Sequence, residues 1–407
     1  MKILMLSSTF PYPPTRGGTQ VRTFNLLKYL SERHDITMMT QSSEDISDEE
    51  VEVLRELVEE LVVFSRPAKP EPEKGILKTV QRFNKFVQEG TPPYVLEIFS
   101  DEIQQWVDET VTSGQFEVVT CEHSENEIYV RPEWQQQLPT IVNIHRSFYG
   151  TQRNLLETGA SENKVKDQLN LTLLRRYEEL YCSKFTNIVV TTPEERRLIT
   201  SFETPAPIAV IPNGVDFSLF PRRISDPGGH KLVFIGAMDN LSDIDAVRFF
   251  SLEVFPEIQE RYPGASLELV GARPTNEVLE LAEQPGIKVT GKVPSMVDYL
   301  HKATVCVVPL RTGYGIKNKT LEAMAAGTPV VSSDCGLEGL TVDGADVPIR
   351  ALRANEPAEY VYAVSRLFED RQLRKQLSEN GRKLVEDKYT WKRAGELYEK
   401  VLLGMKD

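Results

Sequence analysis

Short apolar runs alternate with longer amphipathic stretches along the first half of the chain. Compact runs rich in β-branched residues predict buried strands, and the apolar periodicity of 19–33 and 164–184 predicts helices. Strands that alternate with helices form parallel sheets covered on both faces. The predicted strands of this first series are 2–6, 36–39, 61–64, 117–120, 141–144, 187–191 and 208–211.

A second series of strand patterns starts at Lys231 and predicts a second sheet of the same kind. Turn-forming residues are frequent between Pro212 and Gly229, which is typical of a linker. We therefore expect an α/β protein with two Rossmann-like, doubly wound parallel-sheet domains that face a cleft. The predicted strands of the second series are 231–236, 266–271, 287–293, 305–310, 329–333 and 346–349.

The composition of the 407 residues is that of an ordinary globular protein, with 40% hydrophobic and 26% charged residues. The net charge of -13 argues against nucleic acid as a partner, because binding to a phosphate backbone needs a basic face. The apolar start of the chain is only as long as a strand and no cleavage site follows it, so we expect a cytoplasmic protein. The four cysteines lack metal-ligand spacing, and we expect small buried thiols: Cys121, Cys182, Cys306 and Cys335.

The stretch after the predicted strand 305–310 combines glycines with cations. Gly313 and Gly315 would let a ligand approach the backbone, and Lys317 and Lys319 stand at the start of the next predicted helix. A helix N-terminus already favours an anion through its free N–H groups and its dipole. The pattern indicates a phosphate-binding site at the carboxyl edge of a parallel sheet. The alternative interpretation is an ordinary glycine-containing turn followed by two solvated lysines.

A second glycine pair follows the first predicted strand. Gly17, Gly18 and Thr19 precede a helical pattern, where backbone N–H groups could meet a ligand oxygen, or where the chain simply turns. Neither this turn nor the one that begins at Gly236 has the G-x-G-x-x-G spacing, which argues against a dinucleotide-dependent dehydrogenase.

Taken together, these motifs resemble those of the retaining glycosyltransferases of the GT-B fold, in family four (glycosyl transferases group 1). The matching residues are Gly17-Gly18, the run from Ile211 to Asp216, and the block from Pro309 to Leu340. That block contains Pro-Leu-Arg-x-Gly-x-Gly-x-Lys-x-Lys-x-Leu-Glu-Ala, which is similar to one branch of the family. The ending from Tyr389 to Trp391, with a last helix after it, also matches.

The resemblance implies transfer of a sugar from a nucleotide sugar to an acceptor hydroxyl with retention, in cell-surface polysaccharide or glycolipid assembly. It implies an N-terminal acceptor-side domain at 1–213, to which 387–407 cross back, and a C-terminal nucleotide-sugar domain at 214–386. The nucleotide sugar would be a co-substrate, with no other cofactor and no metal. The acceptor would be a glycan or a lipid-linked molecule.

The resemblance also implies roles for individual residues. Glu322 would accept hydrogen bonds from the ribose, where the plain alternative is an ion pair with Lys319 one turn away. The cations Arg311, Lys317 and Lys319 would neutralise the diphosphate, with Gly236, Gly313 and Gly315 lining the nucleotide sugar and Gly17, Gly18 and Thr19 on the phosphate and acceptor side.

Two histidines follow predicted strands of the first series, at the strand ends where ligands meet an open α/β sheet. The family resemblance implies that His145 faces the transferred sugar and is the catalytic residue, with His123 as its competitor. A histidine with a purely structural role is the alternative for either one.

The chain departs from the family pattern in two places. Many members have Glu where this chain has Tyr314, eight positions before Glu322, which leaves the sugar open. Many also have cations in the loop that is here Ala237 to Leu241. Two other functions therefore stay open: a nucleotide-sugar epimerase of the same fold, and a catalytically silent nucleotide-sugar-binding subunit.

The segment from Lys74 to Gln88 has the pattern of a basic amphipathic helix. Lys74, Lys78, Arg82 and Lys85 share one face, which could rest on anionic lipid at the inner membrane surface. A solvated basic face above a packed underside is the alternative interpretation.

Overall fold

A computed structural model describes residues 1–67, 86–159, 161 and 163–405. The chain divides into two compact units. The first consists of Met1–Leu156, Ser161–Ile211 and Ala394–Asp407, and the second of Glu157–Ala160 and Pro212–Arg393. The last segment of the chain therefore belongs to the first unit.

The first unit is built on a seven-stranded parallel sheet in the order β3-β2-β1-β4-β5-β6-β7. Its central strands consist of buried, largely apolar residues, because helices cover both faces of such a sheet. The strands are β1 Lys2–Ser7, β2 Asp35–Ser42, β3 Glu60–Ser65, β4 Val118–Glu122, β5 Thr140–Asn143, β6 Asn187–Val190 and β7 Ile208–Val210.

Helices follow most of these strands, and the helix Asp48–Arg55 shows how a side chain caps a first turn. Ser47 caps its helix by accepting a hydrogen bond from the Glu50 amide, and the Glu50 carboxylate accepts one from the Ser47 amide. The helices are α1 Gly18–Ser31, α2 Asp48–Arg55, α3 Pro93–Leu96, α4 Asp101–Thr112, α5 Phe148–Glu157, α6 Lys164–Cys182 and α7 Pro193–Thr200.

The second unit has a six-stranded parallel sheet in the order β10-β9-β8-β11-β12-β13. The order reverses direction between β8 and β11, and ligands of open α/β sheets bind at the carboxyl ends of strands at such a point. The strands are β8 Lys231–Ile235, β9 Ser266–Val270, β10 Ile287–Val289, β11 Val305–Val308, β12 Val330–Ser332 and β13 Leu352–Arg353.

The remaining helices belong to the second unit, except that most of the last one belongs to the first. A π-helical segment, Phe250–Val254, joins the first two of them. They are α8 Leu241–Phe249, α9 Phe255–Arg261, α10 Asn276–Leu279, α11 Val297–Lys302, α12 Asn318–Ala325, α13 Pro357–Glu369, α14 Arg371–Lys388 and α15 Trp391–Leu402.

Within the described residues, twelve of the thirteen strands lie where the apolar runs predicted them, and the two parallel sheets confirm the predicted fold class. The strand predicted at 346–349 is wrong. The edge strand is β13, where Leu352 pairs with Val331. Pro348 has no N–H to donate to a ladder, which disfavours the earlier position.

The structure bears on the expectations about buried thiols and membrane contact only in part. The expected burial of the thiols is confirmed for Cys121, Cys182 and Cys306, while Cys335 is partly exposed. Within the described residues, none of the helices is both long and apolar enough to cross a membrane. The segment from Lys74 to Gln88 lies outside the described residues as far as position 85.

Candidate functional site

The loop between β11 and α12 places the predicted phosphate-binding residues at the carboxyl edge of the second sheet. β11 is fully buried, and α12 begins directly after Lys317, which is its N-cap residue. Gly313 and Gly315 have φ angles of 112° and 86°, in the region that side-chain-bearing residues avoid. The two glycines are therefore required by the shape of the loop itself.

Lys319 on the first turn of α12 forms an ion pair with Asp243 on α8. Both side chains are mostly buried, and the Lys319 ammonium also lies 4.6 Å from the centre of the Phe234 ring. A Cβ atom at Gly236 would stand 2.6 Å from Asp243 Oδ2 and 2.9 Å from Lys319 Nζ. Gly236 thus leaves room for the pair, and the structure brings it together with Lys319 as the sequence suggested.

Lys317 lies against Glu338, in the loop that follows β12. Its ammonium is 3.3 Å from Glu338 Oε2 and also donates to the carbonyl of Gly315. The second oxygen of Glu338 accepts a hydrogen bond of 3.0 Å from the Gly315 amide. One buried carboxylate therefore holds both the glycine loop and the lysine that follows it.

Arg311 is the third predicted cation, and it pairs with Asp245 on α8 through Nε at 3.0 Å and through a second guanidinium nitrogen. Each of the three cations therefore has a carboxylate partner inside the second unit. The alternative interpretation of Lys319, an ion pair with Glu322, is not what the described residues show, because its partner is Asp243.

Glu322 lies one turn further along α12 and is half-buried. Burial raises the pKa of its carboxyl group to about 7, and the nearby Lys319 ammonium opposes that shift. Among the described residues, its carboxylate accepts no hydrogen bond from the protein. Such a group is able to accept hydrogen bonds from hydroxyl groups of a ligand.

In the first unit, a buried polar network joins the ends of β4 and β5 to two helices. Arg22 on α1 donates to Asn143 Oδ1 at 3.0 and 2.8 Å and to the carbonyl of Ile211 at 2.9 Å. Asn143 donates to Glu122 Oε2 at 2.7 Å, and Tyr398 on α15 donates to Glu122 Oε1 at 2.7 Å. All the side chains of this network are buried.

Burial disfavours the charged forms of the ionisable side chains in this network. It lowers the pKa of Arg22 and raises that of Glu122, and the hydrogen bonds from Tyr398 and Asn143 oppose the latter shift. An arginine and a glutamate bridged by an asparagine amide therefore share one buried site, and each lessens the cost of burying the other.

The two candidate histidines lie next to each other at this end of the first sheet. The ring centres of His123 and His145 are 5.1 Å apart, and His145 Nε2 is 3.8 Å from Glu122 Oε2. Burial lowers the pKa of both rings, and that of His145 falls well below its ordinary value because His123, Arg22 and Arg146 add to the effect. His123 has a φ angle of 79°, which is rare outside glycine.

Gly17, Gly18 and Thr19 form the start of α1, directly after the loop that follows β1. Gly17 is extended, with a φ angle of 175°, and α1 begins at Gly18. The neighbouring Arg16 contacts Asp45 and Glu50 at 3.0 and 2.8 Å. The predicted helix start is confirmed, and a ligand role for these residues stays a prediction.

Sequence patterns missed the carboxylates of both sites. Asp243 and Asp245 lie on α8, directly after the loop in which the sequence lacks the family's cations. Glu338 lies within the family-like block from Pro309 to Leu340, but the sequence assigns no role to it. Within the described residues, no group of three or more His, Cys, Asp or Glu residues could hold a metal ion.

Two family models match the chain. Residues 16–219 match the one described as Glycosyltransferase Family 4, and residues 229–370 match the one described as Glycosyl transferases group 1. An uncharacterised glycosyltransferase of Methanocaldococcus jannaschii is 27% identical over 284 residues, 63% of this chain and 66% of the relative. The putative glycosyltransferase YtcC of Bacillus subtilis is 34% identical over 85 residues, 20% of this chain and 21% of the relative. The matches thus span 21% to 66% of these two relatives' own lengths.

Solved structures share the fold over nearly the whole chain. Sucrose-phosphate synthase from Thermosynechococcus elongatus has a TM-score of 0.69 at 17% identity, covering 99% of both chains. Anabaena HepE in complex with UDP-glucose has a TM-score of 0.64 at 14% identity, covering 100% of both. A variant of Staphylococcus aureus TarM, bound to fondaparinux, α-GlcNAc-glycerol and UDP, has a TM-score of 0.65 at 11% identity, covering 98% and 99%. At such identities these likenesses concern the fold alone.

Proposed function

The chain belongs to the group 1, family four glycosyltransferases, and we propose that it is a retaining enzyme that transfers a sugar from a nucleoside-diphosphate sugar to an acceptor hydroxyl. The observation that carries the proposal is the arrangement on α12. A half-buried carboxylate with a pKa of about 7, Glu322, lies one turn from Lys319 and from the helix start at Lys317. In the proposal, Glu322 accepts hydrogen bonds from the ribose hydroxyls.

The diphosphate would be bound by the cations at the start of α12. One ammonium about 4 Å from a phosphate contributes about 4 kcal/mol at an effective dielectric constant of 20, before desolvation. Lys317, Lys319 and Arg311 supply three such charges, and the helix dipole adds to them. We therefore assign the neutralisation of the leaving diphosphate to these side chains rather than to a metal ion.

Each of these cations already has a carboxylate partner, which shapes how the donor would bind. The diphosphate must compete with Asp243, Asp245 and Glu338, or share the cations with them. Lys317 can be shared between Glu338 and a phosphate at a lower cost in free energy. The second oxygen of Glu338 accepts a hydrogen bond from the Gly315 amide, so the carboxylate still holds the loop in place. The ammonium of Lys319 is the one that an incoming phosphate would have to draw away from its partner.

The chemistry of retaining transfer places negative charge on the departing diphosphate and positive charge on the sugar. Fixed dipoles and charges directed at those positions are the largest source of catalysis in such reactions. We assign to His145 the orientation of the sugar or the polarisation of a hydroxyl group, with His123 as the competing residue. Gly17, Gly18 and Thr19 are proposed for the phosphate and acceptor side through their N–H groups.

The acceptor in this proposal is a glycan or a lipid-linked molecule, and the setting is cell-surface polysaccharide or glycolipid assembly in the cytoplasm or at the inner membrane surface. Support comes from the neighbours that share the fold, which were solved with UDP, UDP-glucose and a glycan. The base and the sugar of the donor are left to experiment, since Tyr314 stands where many members have a donor-contacting Glu.

A panel of UDP-, GDP- and ADP-sugars tests the proposal. A true donor at 100 times its dissociation constant should stabilise the protein by about 2.7 kcal/mol, which a thermal shift detects. The selected donor is then incubated with glycan and lipid acceptors, and the anomeric configuration of the product is read by NMR. A new glycosidic bond with retained configuration is expected.

Other outcomes of this experiment are equally clear. An inverted product contradicts the retaining mechanism, and conversion of the donor into its epimer identifies an epimerase. Binding without any chemistry across the panel identifies a silent subunit. The double substitution of Lys317 and Lys319 to Ala should weaken nucleoside diphosphate binding, and an unchanged dissociation constant would remove the lysines from the site.

A further inference from the structure

A buried carboxylate lies beside the candidate catalytic histidine of the first unit. Glu122 Oε2 is 3.8 Å from His145 Nε2, which is too long for a hydrogen bond but close enough for the carboxylate to favour a proton on that ring nitrogen. Both ring nitrogens of His145 are buried and have no hydrogen-bond partner in the described part of the chain. The carboxylate therefore distinguishes one ring nitrogen from the other.

Glu122 is held in place from two sides. Asn143 donates to Oε2 and the Tyr398 hydroxyl donates to Oε1, both at 2.7 Å. Asn143 is itself fixed by the guanidinium of Arg22. Because each carboxylate oxygen accepts a hydrogen bond from a different element, the group cannot rotate freely, and its charge faces His145 from a fixed position.

Among the described residues, the other groups whose charges act on His145 all disfavour its protonation. They are Arg22 on α1, Arg146 in the loop after β5, and the His123 ring after β4. Together with burial, they hold the pKa of His145 well below its ordinary value, so the imidazole is neutral at neutral pH. A neutral imidazole has a single N–H, and its neighbours decide which nitrogen carries it.

We propose that Glu122 is a positioning residue that fixes His145 as the Nε2–H tautomer, which leaves Nδ1 as the hydrogen-bond acceptor of the ring. Tyr398 anchors Glu122, so the last helix, α15, takes part in setting the state of the histidine. The consequence for catalysis rests on the proposed function: Nδ1, which is buried in the unliganded protein, would accept a hydrogen bond from a sugar or acceptor hydroxyl once ligand binding brings that hydroxyl to the ring. The tautomer itself can be observed in the unliganded protein.

Nitrogen-15 NMR of the histidine rings at neutral pH tests the inference, because the two neutral tautomers have different pairs of nitrogen shifts. The resonances of His145 are identified by their loss in His145→Gln. We expect a dominant Nε2–H tautomer in the native protein and a mixture in Glu122→Gln. Tyr398→Phe, which removes one hydroxyl group, should also shift these resonances.

Tyr29→Phe is the matched control. Tyr29 donates to Glu399 on the same last helix at 3.2 Å, so its hydroxyl helps to dock α15 without touching Glu122. If Tyr29→Phe changes the His145 resonances as much as Tyr398→Phe does, the effect comes from helix docking and the inference is wrong. A dominant Nδ1–H tautomer in the native protein also overturns it. Should Glu122→Gln not fold, the two tyrosine variants still decide.

Turnover separates this inference from the proposed function. With the donor found by the nucleotide-sugar panel, Glu122→Gln should lower kcat at least about tenfold at an unchanged donor dissociation constant, as the loss of an orienting partner does elsewhere. Normal turnover in His145→Ala refutes the catalytic role of the histidine. The spectra of the native protein still report the tautomer in that case. Unchanged spectra in Glu122→Gln refute the positioning role even if His145 is required.

Discussion

The ammonium of Lys319 is paired with the carboxylate of Asp243, although the two residues are 76 positions apart in the chain. They follow β11 and β8, which are neighbours in the second sheet, so both side chains reach the same edge. Gly236 makes room for them. The pair is mostly buried, and breaking it leaves a charge without its partner, which is costly.

Asp243 therefore competes with any anion for Lys319, and Asp243→Asn should show both sides of that competition. Without ligand, the variant should unfold more readily because the buried ammonium loses its partner. It should bind a nucleoside diphosphate about tenfold more tightly, since one like charge near the phosphates is removed. Calorimetric binding and urea unfolding measure the two effects.

Asp239→Asn is the control for this substitution. Asp239 pairs with Arg273 at 2.6 Å, and both side chains are more exposed than those of the Lys319 pair. Neither binding nor stability should change much, because exposed ion pairs contribute little. Weaker binding by Asp243→Asn would show instead that Asp243 holds Lys319 in position for the ligand.

The ionisation of Glu322 should control recognition of the ribose. Only the ionised carboxylate accepts hydrogen bonds with both oxygens, and burial raises its pKa to about 7. The preference for a nucleoside diphosphate over its 2′,3′-dideoxy analogue should therefore grow as the pH rises from 6 to 8. Ionisation of the phosphates affects the affinity of both ligands equally, so it cancels when the two are compared.

Glu322→Gln should make this preference small and independent of pH. Pyrophosphate affinity should stay as it is in the native protein, because pyrophosphate has no ribose. If the variant loses affinity for pyrophosphate and for the nucleotide equally, Glu322 does not contact the ribose. A preference that falls as the pH rises would point to the protonated carboxyl group as a donor.

The apolar pattern of the sequence was sufficient to place nearly all of the strands, because a buried parallel strand needs a continuous apolar run. It also placed Lys317 and Lys319 at a helix start, since strand, loop and helix follow each other locally. The charge partners could not be predicted in this way. Tyr398 and Glu122 are 276 positions apart, and no local pattern tells which polar groups a fold will bring together.

Gly395 illustrates the same limit for packing. A Cβ atom there would lie 2.2 Å from Cγ of Tyr29, so the last helix can approach α1 only because this residue has no side chain. Gly395→Ala should lower the free energy of unfolding by about 1–3 kcal/mol, the usual cost of overpacking, even though alanine favours a helix. Urea unfolding measures the loss.

The control is Gly264→Ala, because nothing in the described structure lies within 4 Å of a Cβ atom at Gly264. That substitution should leave the stability within about 0.5 kcal/mol of the native value. A Gly395→Ala protein as stable as the control would mean that the helix and Tyr29 can separate without cost.

The loop that carries His145 is held by a second buried carboxylate, Glu178 on α6. It accepts hydrogen bonds from the Ser147 hydroxyl at 2.6 Å and from the amides of Phe148 and Tyr149 at 2.7 and 3.1 Å. Burial raises its pKa from 4.5 to about 7, against the effect of these hydrogen bonds. The folded protein therefore binds a proton at Glu178 more tightly than the unfolded chain does.

Stability should consequently depend on pH through this group. Its contribution is fully present below the unfolded pKa of 4.5 and is lost as the pH rises through about 7, with a total of about 3 kcal/mol. Glu178→Gln cannot ionise, so the native protein should lose about 2 kcal/mol relative to this variant between pH 5 and pH 8. Urea unfolding at the two pH values gives the difference. The effects of other buried acids such as Glu322 on stability cancel, because both proteins contain them.

The control is the neighbouring Glu179→Gln, which disturbs only the partly exposed pair with Arg175. The stability of this variant should depend on pH as that of the native protein does. If the stability of Glu178→Gln does so too, the Glu178 carboxylate is ionised in the folded protein without penalty.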